Sequence, residues 1–125
     1  MLKEGMEYSL EKIVLPEETA AKVASGALEV FSTPMLAALM ENAAFKLVEP
    51  NLEGGMTTVG TALDLKHLKA NSIGDKLFCT ATLVKIEGKK LTFEIEVTQG
   101  ESLVGTCNHE RFIVNIEKFM NKLKG

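Results

Sequence analysis

The stretch Thr33–Glu49 constrains this chain more than any other, because a helix of its composition cannot lie on a surface. Thr33-Pro34 reads as a helix start. A threonine hydroxyl at the N-cap accepts from a free N–H of the first turn, and proline at the first helical position has no N–H to lose. Pro50 stops the run. The polar face reduces to Asn42, Lys46 and Glu49, and apart from Glu41 the rest of the circumference is apolar. Such a helix has to be wrapped by other structure.

The second half of the chain supplies the wrapping. Leu91, Phe93, Ile95 and Val97 alternate with Thr92, Glu94, Glu96 and Thr98, the pattern of a half-buried antiparallel strand. Lys76–Glu87 reads as a longer strand, joined to it by a hairpin turn at Glu87-Gly88-Lys89-Lys90. Thr57–Lys69 and Ser102–Ile116 read as further long strands, and Asn71-Ser72-Ile73-Gly74-Asp75 as a turn. Upstream, Tyr8–Leu15 reads as a strand ended by Pro16, with Glu17–Ser25 as a short helix before Gly26. Glu117–Lys124 reads as a short terminal helix. Parallel strands need crossover helices, and none is left to use. The expected fold is therefore α+β: a curled antiparallel sheet of about five strands around one long central helix. No repeat or linker divides the chain, so residues 1–125 read as one domain.

With 125 residues and 46% hydrophobic content the chain supports a core, yet a monomer this small leaves much surface exposed, which favours a dimer. A net charge of −3, with scattered lysines and arginines, points to neither nucleic acid nor an anionic membrane. The N-terminus lacks the apolar run of a signal peptide, and no segment approaches the roughly 20 apolar residues of a membrane span. Cys79 and Cys107 are far apart and read as reduced thiols; the chain has too few Cys and His for a zinc site. These features lead us to expect a soluble cytoplasmic protein without a metal. Walker, GxGxxG and GxSxG motifs are absent.

Polar residues on apolar faces mark a candidate site. Glu41 shares its helix flank with Ala37, Ala38, Ala44, Phe45 and Val48. A carboxylate there needs partners or a raised pKa, and is either a structural group, paired for example with Arg111, or a poised base or nucleophile. His67 lies on the odd-numbered face of its strand with Val59, Thr61, Leu63 and Leu65, as a satisfied core residue or a proton carrier. Thr33 at the helix start sits among free N–H groups that favour developing negative charge. Gly60 interrupts a regular strand, the mark of a bulge, a close backbone approach or simple packing. His109-Glu110-Arg111 brings polar residues into the last strand, where Arg111 can pair with a carboxylate, a phosphate or a surface partner. Periodicity thus reaches a site built on Thr33, Glu41 and His67, but no substrate.

Val30-Phe31-Ser32-Thr33, Leu39-Met40-Glu41, Val59-Gly60-Thr61-Ala62, His67, Gly74-Asp75-Lys76-Leu77, His109-Glu110-Arg111 and Ile116-Glu117-Lys118-Phe119 occur in an order and spacing that resemble the hotdog thioesterases, and among them the fluoroacetyl-coenzyme A thioesterase family. The resemblance spans about Gly26 to Phe119. It implies a hotdog fold, hydrolysis of a short acyl-CoA and no cofactor, coenzyme A being part of the substrate. It also implies a homodimer or higher oligomer with active sites near the subunit interface. By the same resemblance Thr33, Glu41 and His67 form the catalytic set, Gly60 holds the thioester oxygen, Arg111 lies near the acyl end, and Phe31 belongs to the substrate-binding residues. Ala24 and Ala27 stand where that family carries phenylalanines over the acyl pocket, so the reaction class carries over and the acyl group does not. A hotdog hydratase or dehydratase and a non-catalytic acyl-CoA binder are the alternatives.

Overall fold

The alternation in the second half of the chain produces a single antiparallel sheet. The computed structural model describes all 125 residues, Met1–Gly125. Its strands are β1 (Glu7–Ile13), β2 (Met56–His67), β3 (Lys76–Glu87), β4 (Lys90–Gln99) and β5 (Ser102–Asn115), in the spatial order β1-β3-β4-β5-β2. Every pairing is antiparallel. The long helix α1 (Thr33–Val48) lies in the concave face, and the short helix α2 (Ile116–Leu123) follows β5. This is the expected architecture.

The core is the meeting of that concave face with α1. Leu77, Cys79, Ala81 and Leu83 from β3 and Leu91, Phe93, Ile95 and Val97 from β4 pack against Leu36, Met40, Ala43, Ala44, Leu47 and Val48. Each large aliphatic or aromatic side chain sealed there contributes about 1.5–3 kcal/mol. Toward β5 the concave face turns polar, because His109 and Arg111 are buried in the same row as Cys107.

Two local expectations are corrected. Ser32, not Thr33, caps α1: its backbone is extended and its hydroxyl accepts from the Met35 N–H at 3.3 Å. Pro34 then falls one place further into the first turn, where an absent N–H still costs nothing. Residues Glu17–Ser25 form no helix. Pro16–Glu18 makes one 3₁₀ turn, with Glu18 turned inward to accept from the Leu15 N–H and to pair with Lys12. The chain then makes a loop closed by a bridge between Thr19 and Phe31, and Ala24 takes the left-handed backbone (φ 63°) that ends any helical path.

The helix is also less completely wrapped than its composition suggests. Thr33 is exposed and Ala37, Glu41 and Phe45 are only half-buried, and these residues form one stripe at i, i+4, i+8 and i+12. Beside that stripe runs β2, an edge strand whose middle, Gly60–Asp64, is exposed. No helix of the chain is long and apolar enough to cross a membrane.

Candidate active site

Two polar clusters sit between α1 and β2. At the N-terminal end of α1, Thr33 Oγ lies 2.8 Å from His67 Nδ1. Because Ser32 does the capping, the Thr33 hydroxyl is released for this contact. The other ring nitrogen, Nε2, is buried and has no hydrogen-bond partner in the chain. Burial lowers the His67 pKa below its usual value, against a smaller opposing pull from the Lys69 backbone, so the ring is neutral at pH 7.

The second cluster lies eight residues further along α1, about 12 Å at the rise of a helix. Here Glu41 Oε2 is 3.9 Å from Arg111 Nη1, with the glutamate side chain 45% exposed and the arginine side chain 9%. The Arg111 guanidinium is fixed from behind. Its Nε donates to Thr58 Oγ at 2.8 Å, its Nη2 to the Thr58 carbonyl at 3.1 Å, and its Nη1 to His109 Nε2 at 3.2 Å. It also lies over the Phe45 ring at 5.9 Å. Burial lowers the Arg111 pKa, opposed by Glu41 and Glu49; a guanidinium remains charged at any pH of interest.

Gly60 joins this cluster, and the two active readings of it given above both apply. The β2–β5 register slips between Gly60 and Ala62, a bulge that leaves Thr61 as the extra residue. The backbone at Gly60 also comes so close to α1 that a Cβ there would lie 2.7 Å from Glu41 Oε2, 3.3 Å from His109 Cε1 and 3.5 Å from Arg111 Nη1. The bulge corrects the expected face of β2. Thr58 and Gly60 point inward before it, and Leu65 and His67 point inward after it. Val59 does not share the face of His67.

The structure therefore brings Thr33 to His67, and Glu41 to Gly60 and Arg111, but keeps the two groups apart within one chain. None of the four surface depressions of the single chain is lined by Thr33, Glu41 or His67. Glu41 is also not the buried carboxylate its helix flank suggested, because that flank is uncovered in the isolated chain. The substrate contact expected of Phe31 is corrected as well: its side chain is 1% exposed and belongs to the core. Its N–H donates to the Asn71 carbonyl at 2.9 Å, so it ties the start of α1 to the loop after β2. The sequence reading left His109 without a role, yet it is 1% exposed and is the contact that holds Arg111 Nη1. The available signal was its i, i+2 spacing to Arg111, which puts both side chains on one face of a strand.

No group of His, Cys, Asp and Glu side chains is arranged to hold a metal ion. The thiols of Cys79 and Cys107 are both buried, and burial pushes each up to about 12. The chemistry left to this region is that of a carboxylate, a neutral imidazole with a hydroxyl at its back, and a fixed guanidinium.

Comparison with known proteins identifies the family. A family model described as fluoroacetyl-CoA-specific thioesterase matches residues 14–117. The fluoroacetyl-CoA thioesterase of Streptantibioticus cattleyicolor is 34% identical over 96 residues, covering 77% of this chain and 69% of that protein. A crystal structure of a phenylalanine-to-alanine mutant of the fluoroacetyl-CoA-specific thioesterase, in complex with fluoroacetate and CoA, superposes with a TM-score of 0.89 at 30% identity, over 94% of this chain and 99% of that one. A thioesterase superfamily member from Thermus thermophilus superposes with a TM-score of 0.91 at 26% identity, over 99% and 92% of the two chains. The chain belongs to the fluoroacetyl-CoA-specific thioesterase family, and is a thioester hydrolase of the hotdog fold.

Proposed function

We propose that this protein hydrolyses a short-chain acyl-CoA in a site completed by a second copy of the chain. The observation that carries the proposal is the separation of the two clusters along an open edge strand. Cluster one, Thr33 and His67, lies at one end of β2; cluster two, Glu41 and Gly60, lies seven residues away. Two copies of β2 pairing antiparallel about a two-fold axis near Leu63–Asp64 set the Gly60 end of each strand beside the His67 end of the other. That pairing also covers the half-exposed stripe Thr33-Ala37-Glu41-Phe45 and satisfies the free edge.

In this reading the thioester carbonyl lies beside the exposed backbone of Gly60, where the missing side chain lets the Glu41 carboxylate approach. Its oxygen is held by backbone N–H groups of β2 or of the first turn of α1, a contribution on the order of 3 kcal/mol per donor. Glu41 takes a proton from water as the water oxygen bonds to the carbonyl carbon. The C–S bond then breaks. His67 takes the proton from Glu41 and hands it to the departing sulfur, leaving a carboxylic acid and the CoA thiol. Thr33 holds the His67 ring in orientation. Arg111, anchored by Thr58 and His109, steadies the Glu41 carboxylate at the acyl end. The loop before α1 presents Ala24 and Ala27 to solvent with no aromatic cover, which favours a short acyl group not restricted to fluoroacetyl. Two buried free thiols fit a reducing cytoplasm.

Complementation between inactive variants tests this arrangement. Glu41→Gln and His67→Ala each abolish thiol release from a panel of short acyl-CoAs. After unfolding and refolding the two together, half of the dimers are mixed, and each mixed dimer carries one intact composite site. About a quarter of wild-type activity returns. A set wholly contained in one chain gives none, and full turnover by Glu41→Gln alone removes Glu41 from the reaction.

A further inference from the structure

His109 is buried among groups that leave it no choice of protonation state. Its Nδ1 lies 2.8 Å from the Ala62 carbonyl oxygen, which only accepts, so Nδ1 carries the proton. Its Nε2 lies 3.2 Å from Arg111 Nη1, which only donates, so Nε2 is bare. The two contacts have different owners. Ala62 is the residue that follows the β2 bulge, and Arg111 is the cation that faces Glu41. The ring is held on its third side by Phe93 of β4, with centroids 6.0 Å apart.

We propose that His109 is a positioning residue for the reaction: a neutral imidazole wedged between the bulge carbonyl and Arg111, which fixes the guanidinium, and through it the Glu41 carboxylate, at the height of Gly60. The inference rests on the reading of Glu41 as the working carboxylate. Without the ring, Nη1 loses a firm acceptor, and its only other partner is the long contact to Glu41. The guanidinium then swings on its Thr58 anchor, and Glu41 moves with it. The bulge loses its side-chain brace at the same time, so both the carboxylate and the backbone beside it loosen together.

The charged groups around the ring agree. Burial lowers the His109 pKa first, and the Arg111 charge lowers it further. The Ala62 backbone contact, Glu41 from α1 and Glu110 from the other face of β5 pull the opposite way without reversing the shift. The strand β4 adds no charge, only Phe93.

Two measurements on the intact protein test the proposal. The first needs no variant: ¹⁵N-edited imidazole spectra of the wild type should show His109 as the neutral Nδ1–H tautomer at pH 7. An Nε2–H tautomer overturns the proposal. The second compares His109→Leu with His109→Gln, whose amide oxygen can again accept from Arg111. His109→Leu should lower kcat about tenfold or more, as loss of a hydrogen bond to a charged group does, with KM unchanged. His109→Gln should recover most of that loss. Equal kcat in folded Leu and Gln variants overturns the proposal, as does a loss expressed only in KM. If Leu does not fold, Gln is read against wild type, and a tenfold loss in Gln overturns it too. Full turnover in His109→Leu beside a dead Glu41→Gln defeats this inference alone; full turnover in both defeats the proposed function with it.

Discussion

Gly60→Ala separates the demands of the proposed active site from those of the fold. The added Cβ falls 2.7 Å from Glu41 Oε2, while ordinary contact begins at 3.4 Å, so 3.4 − 2.7 leaves about 0.7 Å to be made up. Three groups face the new methyl, and they differ in how firmly they are held. Arg111 is tied to Thr58 by two hydrogen bonds and to His109 by a third, and is already clear at 3.5 Å. His109 is sealed in the core and is asked for about a tenth of an ångström at 3.3 Å. Glu41 is half-exposed and held by one 3.9 Å ion pair, so the carboxylate yields. Gly60 does not have a positive φ, so alanine fits its backbone, and the reduced freedom of the unfolded chain returns about 0.4–1 kcal/mol. Stability should therefore stay within about 1 kcal/mol of wild type. Activity should not: displacing a catalytic group by about 1 Å costs as much as 100-fold, so kcat should fall about 10- to 100-fold, or about 1.4–2.7 kcal/mol in the barrier. The assay is thiol release from a short acyl-CoA, with thermal unfolding of the same samples. Wild-type kcat in a folded variant would refute the reasoning. A large fall in the melting temperature would show that the backbone, not the carboxylate, had moved.

Gly105→Ala should behave in the opposite way. Its Cβ would meet the Lys66 carbonyl and Leu36 Cδ2, each at 2.9 Å, and a strand carbonyl cannot retreat, so the cost should fall on stability, a drop of about 1–3 kcal/mol; an unchanged urea midpoint would contradict this. His67 and His109 both have pKa values below 6.5 in the folded protein, so just under pH 6.5 the unfolded chain binds more protons. Their contribution to stability is complete above that pH and is lost as pH falls through the folded values; urea midpoints at pH 7.5 and 5.5 should show the loss, and replacing both histidines by glutamine should flatten it. Cys79 and Cys107, pushed up to about 12, should not react with iodoacetamide at pH 8 until the protein unfolds; rapid labelling of the native protein would contradict their burial.

Much of the fold was legible in the residues, because its elements are governed by period. The alternation at Leu91–Thr98 can only be a strand with one buried face, and a helix as apolar as Thr33–Val48 needs a sheet around it. The missed elements were those decided by individual contacts. Glu17–Ser25 has the composition of a helix, but Glu18 is turned inward and the bridge from Thr19 to Phe31 closes a loop instead. The candidate site was legible only as a set of misplaced polar residues. Glu41 stood out on an apolar flank and His67 on an apolar strand face. His109 did not, because nothing local distinguishes a histidine that braces an arginine from one that fills a core.

The sequence by itself determined which polar residues stand on apolar faces and which elements carry them, since side-chain type and local period are properties of the chain alone. Only the tertiary structure decided which of them meet. Ser32 takes the cap, and that frees the Thr33 hydroxyl for His67. The extra residue at Thr61 does more. Gly60 and His67 are seven positions apart, so in a regular strand they would face opposite sides of the sheet. One bulge, fixed by pairing with a strand some fifty residues later, turns both toward the helix. Register is a property of two strands together, and no reading of one strand contains it.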